Sequence, residues 1–263
     1  MAMRARLLLT LLSAGLVATA GAATQQDLAR VEADLRRVAA PWCGRLAELD
    51  AQGRRHCTVP FESFGSAGAG NAFAFLGKAN ITDELLATLS VDELAAVMGH
   101  ELAHLVLGHG LFRMRQRLAA VPGAPDNQFL PLFEQSSVEP HSQTPADPRA
   151  QELDADTLGL VFAGMAGHDV RHGAALWRTA ARRVSGWAAH GSATHPDTVR
   201  RLANATAVAD AFCRAAAASR PPWPAAERLL PAYELSRDEA RQQLDRAALA
   251  RACGRALPRK TAS

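Results

Sequence analysis

The feature that most constrains this chain is a pair of histidines and a glutamate set inside an apolar helix. His100-Glu101-Leu102-Ala103-His104 lies in a run whose apolar residues, Leu94, Val97, Met98, Leu102, Leu105 and Val106, recur at helical spacing. Ser90, followed three residues later by Glu93, forms a capping-box pattern in which each side chain satisfies an orphaned backbone N–H, so the helix starts there. A helix this apolar has to be largely buried. Burying two imidazoles and a carboxylate without partners is costly. The fold must therefore bring other polar groups, or a metal ion, to this helix.

The spacing says which. Four helical residues turn through about 400°, so both imidazoles emerge on one face, one turn apart, and can bind one zinc ion. Glu101 projects to the side of that pair, placed to hold a water and take its proton. Zinc lowers the pKa of a bound water from about 15.7 to about 7, which lets a carboxylate generate the nucleophile at neutral pH and return the proton to a leaving amine. This is the chemistry that calls for a glutamate directly after the first of two histidines at this spacing.

A catalytic zinc site needs a third protein ligand and one open position. Glu152-Leu153-Asp154-Ala155-Asp156 places Glu152 and Asp156 on one helical face, with Asp154 turned about 200° away from Glu152. We assign Glu152 as the third ligand and Asp156 as the carboxylate that receives an N–H from a liganding histidine and fixes its ring. One Zn2+ per chain is expected. His109 is off register for a three-histidine zinc pattern, which needs its third histidine at the position of Gly110 and a glycine at that of Leu107. His168 and His172 repeat the four-residue spacing without the glutamate and read as surface or capping residues. His56 and His141 have no local constellation.

At 263 residues, 48% hydrophobic and 21% charged, the chain is long enough for a sizeable core. A net charge of +3, with scattered basic residues, gives no nucleic-acid surface. Residues 1–23 have the three parts of a signal peptide: basic Met1 to Arg6, apolar Leu7 to Val17, then the small triplets Ala18-Thr19-Ala20 and Ala20-Gly21-Ala22. The apolar run falls short of the roughly 20 residues a span needs. An exported mature chain, 24–263, is therefore expected, with no later membrane span. Its cysteines, Cys43, Cys57, Cys213 and Cys253, suit disulfides between sequence neighbours, Cys43–Cys57 and Cys213–Cys253; four buried thiols are the alternative.

A helix is expected from Thr24 to Asp50, where Leu28, Val31, Leu35 and Val38 repeat. Short strands follow within His56 to Phe64 and Asn71 to Ile81, joined by a glycine-rich turn. Val121 to Pro148 is proline-rich and reads as a long loop, functional or mobile. Asp147-Pro148 restarts a helix that runs to about Gly167, Asp169 caps another, Thr194 or Asp197 opens a third, and one or two more complete the chain. The fold class is mainly α with a small β-sheet (α+β), a single domain with no internal repeat.

The segment from Val97 to His109 resembles the active helix of the gluzincin peptidases related to the CAAX prenyl endopeptidase. Three further pieces match in order: Asn71-Ala72-Phe73-Ala74-Phe75 resembles the family's strand, Glu152-x-x-x-Asp156 its third-ligand helix, and Thr194-His195-Pro196 with Arg201 and Leu202 its His-Pro segment. Together these motifs span roughly residues 60–205. The resemblance implies a zincin-like metallopeptidase domain with zinc on His100, His104 and Glu152 and Glu101 as general base. It also implies His195 near the open zinc position, stabilising an oxyanion or occupying the water's place in a resting enzyme. Ala72, Phe73, Ala74 and Phe75 would pair with an extended substrate by β-augmentation. The exported relatives act in membrane-protein quality control, which implies unfolded or misassembled polypeptide substrates in the periplasm and peripheral contact with membrane or envelope complexes. A latent enzyme, or a chaperone module on the same fold, is the alternative. Two departures stand out: Leu76-Gly77-Lys78 replaces the family's usual Pro-Gly-Gly turn, and the membrane spans of the prenyl-processing branch are missing.

Overall fold

The computed structural model describes residues 21–46, 60–66, 70–75, 78–110, 112, 113, 116, 146–183, 197–218 and 245–254. The expected Cys43–Cys57 pairing, most of the signal segment and of the proline-rich stretch, and His56, His141 and His195 lie outside these residues. The expected α+β class is what the chain adopts: a helical body with one small sheet.

Helix α1 (Gln25–Leu46) buries the repeating side chains Leu28, Val31, Leu35 and Val38. Strands β1 (Phe61–Phe64), β2 (Ala72–Phe75) and β3 (Lys78–Thr82) form a sheet in the order β1-β3-β2. The apolar stretch from Asn71 to Ile81 thus holds two strands, β2 and β3, paired antiparallel with Ala72 opposite Ile81. Strand β1 lies parallel to β3, with Phe61 opposite Ala79. Alternation sends Ala79 and Ile81 into the core and leaves Lys78 outside. The outer edge of β2 faces no other strand among the described residues.

A one-turn helix α2 (Asp83–Leu86) leads to α3 (Val91–Val106), which carries the histidines. Its capping box forms as expected: Ser90 Oγ accepts the Glu93 N–H at 3.3 Å, and Glu93 Oε2 accepts the Ser90 N–H at 2.9 Å. Helix α4 (Pro148–Ala166) begins with Asp147 as its cap and Pro148 in its first turn, and ends at Gly167, whose φ of 96° suits a residue without a side chain. Helices α5 (Val170–Arg183), α6 (Thr198–Ala217, capped by Asp197) and α7 (Arg246–Ala252) complete the body. Asp169 caps α5 by accepting the N–H groups of Arg171 and His172. A Cys213–Cys253 disulfide, the expected pairing, ties α6 to α7. Among the described residues, no helix is long and apolar enough to cross a membrane.

Helix α3 is packed between α1, α4 and α5, with β2 and β3 against it as well. Its crossing with α4 is so close that side chains are excluded. A Cβ built on Gly159 would stand 2.4 Å from the His100 backbone N, and one on Gly99 2.6 Å from the Gly159 carbonyl O. Leu94, Met98 and Leu102 on one side and Leu158, Val161 and Phe162 on the other are fully buried around the crossing. Each such side chain contributes roughly 1.5–3 kcal/mol of apolar burial, so the contact is strongly favoured once glycine permits it. Gly159→Ala should therefore lower stability by about 1–3 kcal/mol in urea unfolding with chelator present; an unchanged midpoint would contradict a contact this tight.

Candidate metal centre

The α3–α4 crossing sets one turn of each helix face to face. His100 and His104 descend from α3, and Glu152 rises from α4, all three buried. His100 Nε2 lies 3.0 Å from His104 Nε2. Glu152 Oε2 is 3.3 Å from His100 Nε2, and Oε1 is 3.4 Å from His104 Nε2. With bond lengths of about 2.0–2.2 Å, a tetrahedral zinc site has donor–donor edges of about 3.3 Å. The two imidazoles and the carboxylate thus lie close enough, within 4.8 Å of one another, to hold one small cation between them.

Behind His100 stands a second layer. Its Nδ1 is 2.9 Å from Asp156 Oδ1, so an Nδ1–H donated there directs Nε2 toward the other donors. Asp156 is in turn gripped by Arg201, whose Nε–H and terminal N–H donate to its two oxygens at 2.8 and 2.6 Å. The Arg201 guanidinium lies 3.5 Å from the ring centroid of Trp177, and only 4% of the residue is exposed. Behind His104, His109 Nδ1 lies 2.9 Å from His104 Nδ1. Half-buried Arg113 approaches Glu152 Oε1 at 3.6 Å.

These contacts set the protonation of the metal-free site. Burial works against a charge on His100, but the carboxylates of Asp156 and Glu152 reverse it and raise its pKa to about 9. Burial and the neighbouring positive charge of His100 lower His104 to about 4. Burial opposes ionisation of Glu152, yet hydrogen bonds from His100 and His104 hold it well below the usual carboxylate range. Asp156 is likewise lowered, against burial, by Arg201 and His100. Burial, with the nearby charge of Glu152, pushes Glu101 up to about 7, against the pull of His100 and Arg201.

The backbone N–H of Ala74 lies near the carboxyl of Glu101 and favours its charged form, joining the site to the sheet. Thr82 N–H donates to the Asn71 carbonyl at 2.8 Å, so Asn71–Thr82 is a hydrogen-bonded pair of the antiparallel ladder. Alternation then makes Phe73–Asn80 the next bonded pair and turns the N–H and C=O of Ala72 and Ala74 toward the outer edge of β2.

The structure thus brings together His100, Glu101, His104, Glu152 and Asp156, with the Ala72–Phe75 strand alongside. His195 lies outside the described residues. Sequence reasoning gave no site role to Trp177, the Gly99–Gly159 contact or the inward-facing His109. His168, read as a surface or capping residue, is mostly buried, 3.7 Å from Asp92 and 3.9 Å from Asp34.

The family model for peptidase family M48 matches residues 26–124 and 145–209, so the chain belongs to that metallopeptidase family, which includes the CAAX prenyl protease and related gluzincins. The fold is accordingly zincin-like, and the family implies a polypeptide substrate. No curated protein and no solved structure matches the chain.

A raised His100 pKa gives metal-free and metal-bound protein opposite pH dependences. In the metal-free protein the stabilisation is complete below pH 6.5 and is lost as pH rises through about 9. Metal binding needs neutral imidazole, so from pH 7 to 9 affinity should rise by about tenfold per unit. Urea unfolding and chelator competition across this range should give opposite slopes.

Proposed function

We propose that this protein is an exported zinc endopeptidase, its catalytic domain formed by residues 24–263 and its N-terminal 23 residues a signal peptide. The observation that carries the proposal is the buried convergence of His100, His104 and Glu152 beside Glu101 and the edge of β2 that faces no other strand among the described residues. Two imidazoles and a carboxylate suit zinc. A zinc ion held there supplies the Lewis acidity that amide hydrolysis at neutral pH requires.

The chain's own groups do the rest. An extended polypeptide pairs with the outward N–H and C=O groups of Ala72 and the outward C=O of Ala74, while the side chains of β2 set its register. Glu101, with the Ala74 N–H nearby, takes a proton from water as the water oxygen bonds to the scissile carbonyl carbon. It delivers that proton to the amine nitrogen as the C–N bond breaks. A pKa near 7 suits a group that must both accept and donate. Asp156, braced by Arg201, keeps His100 oriented. We assign His195 to the developing oxyanion; it stands two residues before Asp197, the cap of the helix that carries Arg201. Free edge strands suit unfolded chains rather than folded ones, which favours misassembled proteins of the periplasm as substrates.

Glu101→Gln should keep its metal and lose casein cleavage by about 10²–10⁴-fold. Cleavage at the native rate would remove Glu101 from the mechanism. Metal-dependent binding of unfolded protein by the unmodified chain, with no cleavage, would favour the chaperone reading. For Glu152→Ala the readout is metal content after dialysis, expected to fall well below one ion per chain; undiminished content would refute the ligand assignment.

A further inference from the structure

We propose that His109 is a positioning residue: its Nδ1 accepts the Nδ1–H of His104, so that the Nε2 lone pair of His104 faces the metal position. The inference rests on the zinc reading above. His109 is 1% exposed, and its Nδ1 lies 2.9 Å from that of His104. Two ring nitrogens at that distance share one proton, and which ring owns it has to be settled by their other contacts.

The metal position settles it. A cation between the ligands needs the Nε2 lone pair of His104, which faces His100 Nε2 at 3.0 Å and Glu152 Oε1 at 3.4 Å. A neutral imidazole carries one proton, so that of His104 sits on Nδ1 and is donated to His109 Nδ1. His100 is oriented in the same sense, its Nδ1–H donated to Asp156 Oδ1 at 2.9 Å.

The two ligand histidines are thus oriented from behind by different partners. His100 leans on a carboxylate already neutralised by Arg201, whereas His104 leans on a neutral imidazole. A second carboxylate behind His104 would add a further negative charge to a buried cluster that already holds Glu101, Glu152 and Asp156. A neutral acceptor fixes the ring without that charge.

The test uses two variants of similar shape. His109→Asn keeps an acceptor near the original Nδ1, and His109→Leu removes it. Zinc affinity, measured by chelator competition, should fall by about 10–100-fold in H109L, the usual cost of losing such a partner, and by only about threefold or less in H109N. In the zinc-loaded unmodified protein, ¹H–¹⁵N correlation spectra of labelled histidines should show the His104 proton on Nδ1. Native affinity in H109L, or equal losses in both variants, would overturn the inference, as would a proton on Nδ1 of His109 in the zinc-loaded protein. If the unmodified chain takes up no zinc, the zinc reading fails and this inference with it, whereas the other outcomes overturn the inference alone.

Discussion

The metal centre depends on a contact that contains no polar side chain. Gly99 and Gly159 let α3 and α4 approach until backbone meets backbone. Only at that separation can a glutamate on one helix reach two imidazoles on the other. A Cβ at either glycine would enter the neighbouring backbone, and backbone cannot rotate aside as a long side chain can. The apolar side chains around the crossing hold the helices together, and the glycines set how close together is. The positions of His100, His104 and Glu152 follow from that single distance.

Charge balance is the second constraint. Arg201, His100, Glu101, Glu152 and Asp156 are all buried, and an unpaired charge in such a place is severely destabilising. Without metal, Arg201 and protonated His100 offset Glu152 and Asp156, and burial favours the neutral form of Glu101. With a divalent cation, His100 becomes neutral and Glu101 ionises, so three positive charges, two on the ion and one on Arg201, face three carboxylates. Either way the cluster is close to neutral. Arg201 makes this possible: without it, Asp156 would add an uncompensated charge behind the ligands. Its stacking on Trp177 replaces part of the hydration that the guanidinium gives up.

Much of this was legible in the sequence because it depends on local rules. The Ser90–Glu93 capping box, the Asp147-Pro148 start of α4 and the repeating apolar residues of α1 follow from short-range spacing, and each is found where expected. The four-residue spacing placed His100 beside His104, and Glu152 beside Asp156, before any tertiary contact was known. What could not be read required a partner from another element. Gly99 and Gly159 lie 60 positions apart, and glycines within apolar helices carry no sign of what they touch. The grip of Arg201 on Asp156 spans 45 positions. His109 was excluded from a ligand position by its register, but an inward-facing, non-liganding role depends on how the chain turns after Val106. Likewise, Asn71 to Ile81 read as a single β-forming stretch because its apolar content does not reveal the hairpin.

Strand β2 carries one more consequence. Ala74 turns both of its backbone groups away from β3: its N–H lies near Glu101, and its C=O lies on the outer edge of the strand. Both placements belong to the backbone and are indifferent to which small side chain occupies the position. They are acutely sensitive to count, because adding or removing one residue in a strand exchanges its inward and outward groups. Such a change would turn the Ala74 groups back into the ladder and away from Glu101. The composition of this segment is thus loosely constrained, and its length tightly.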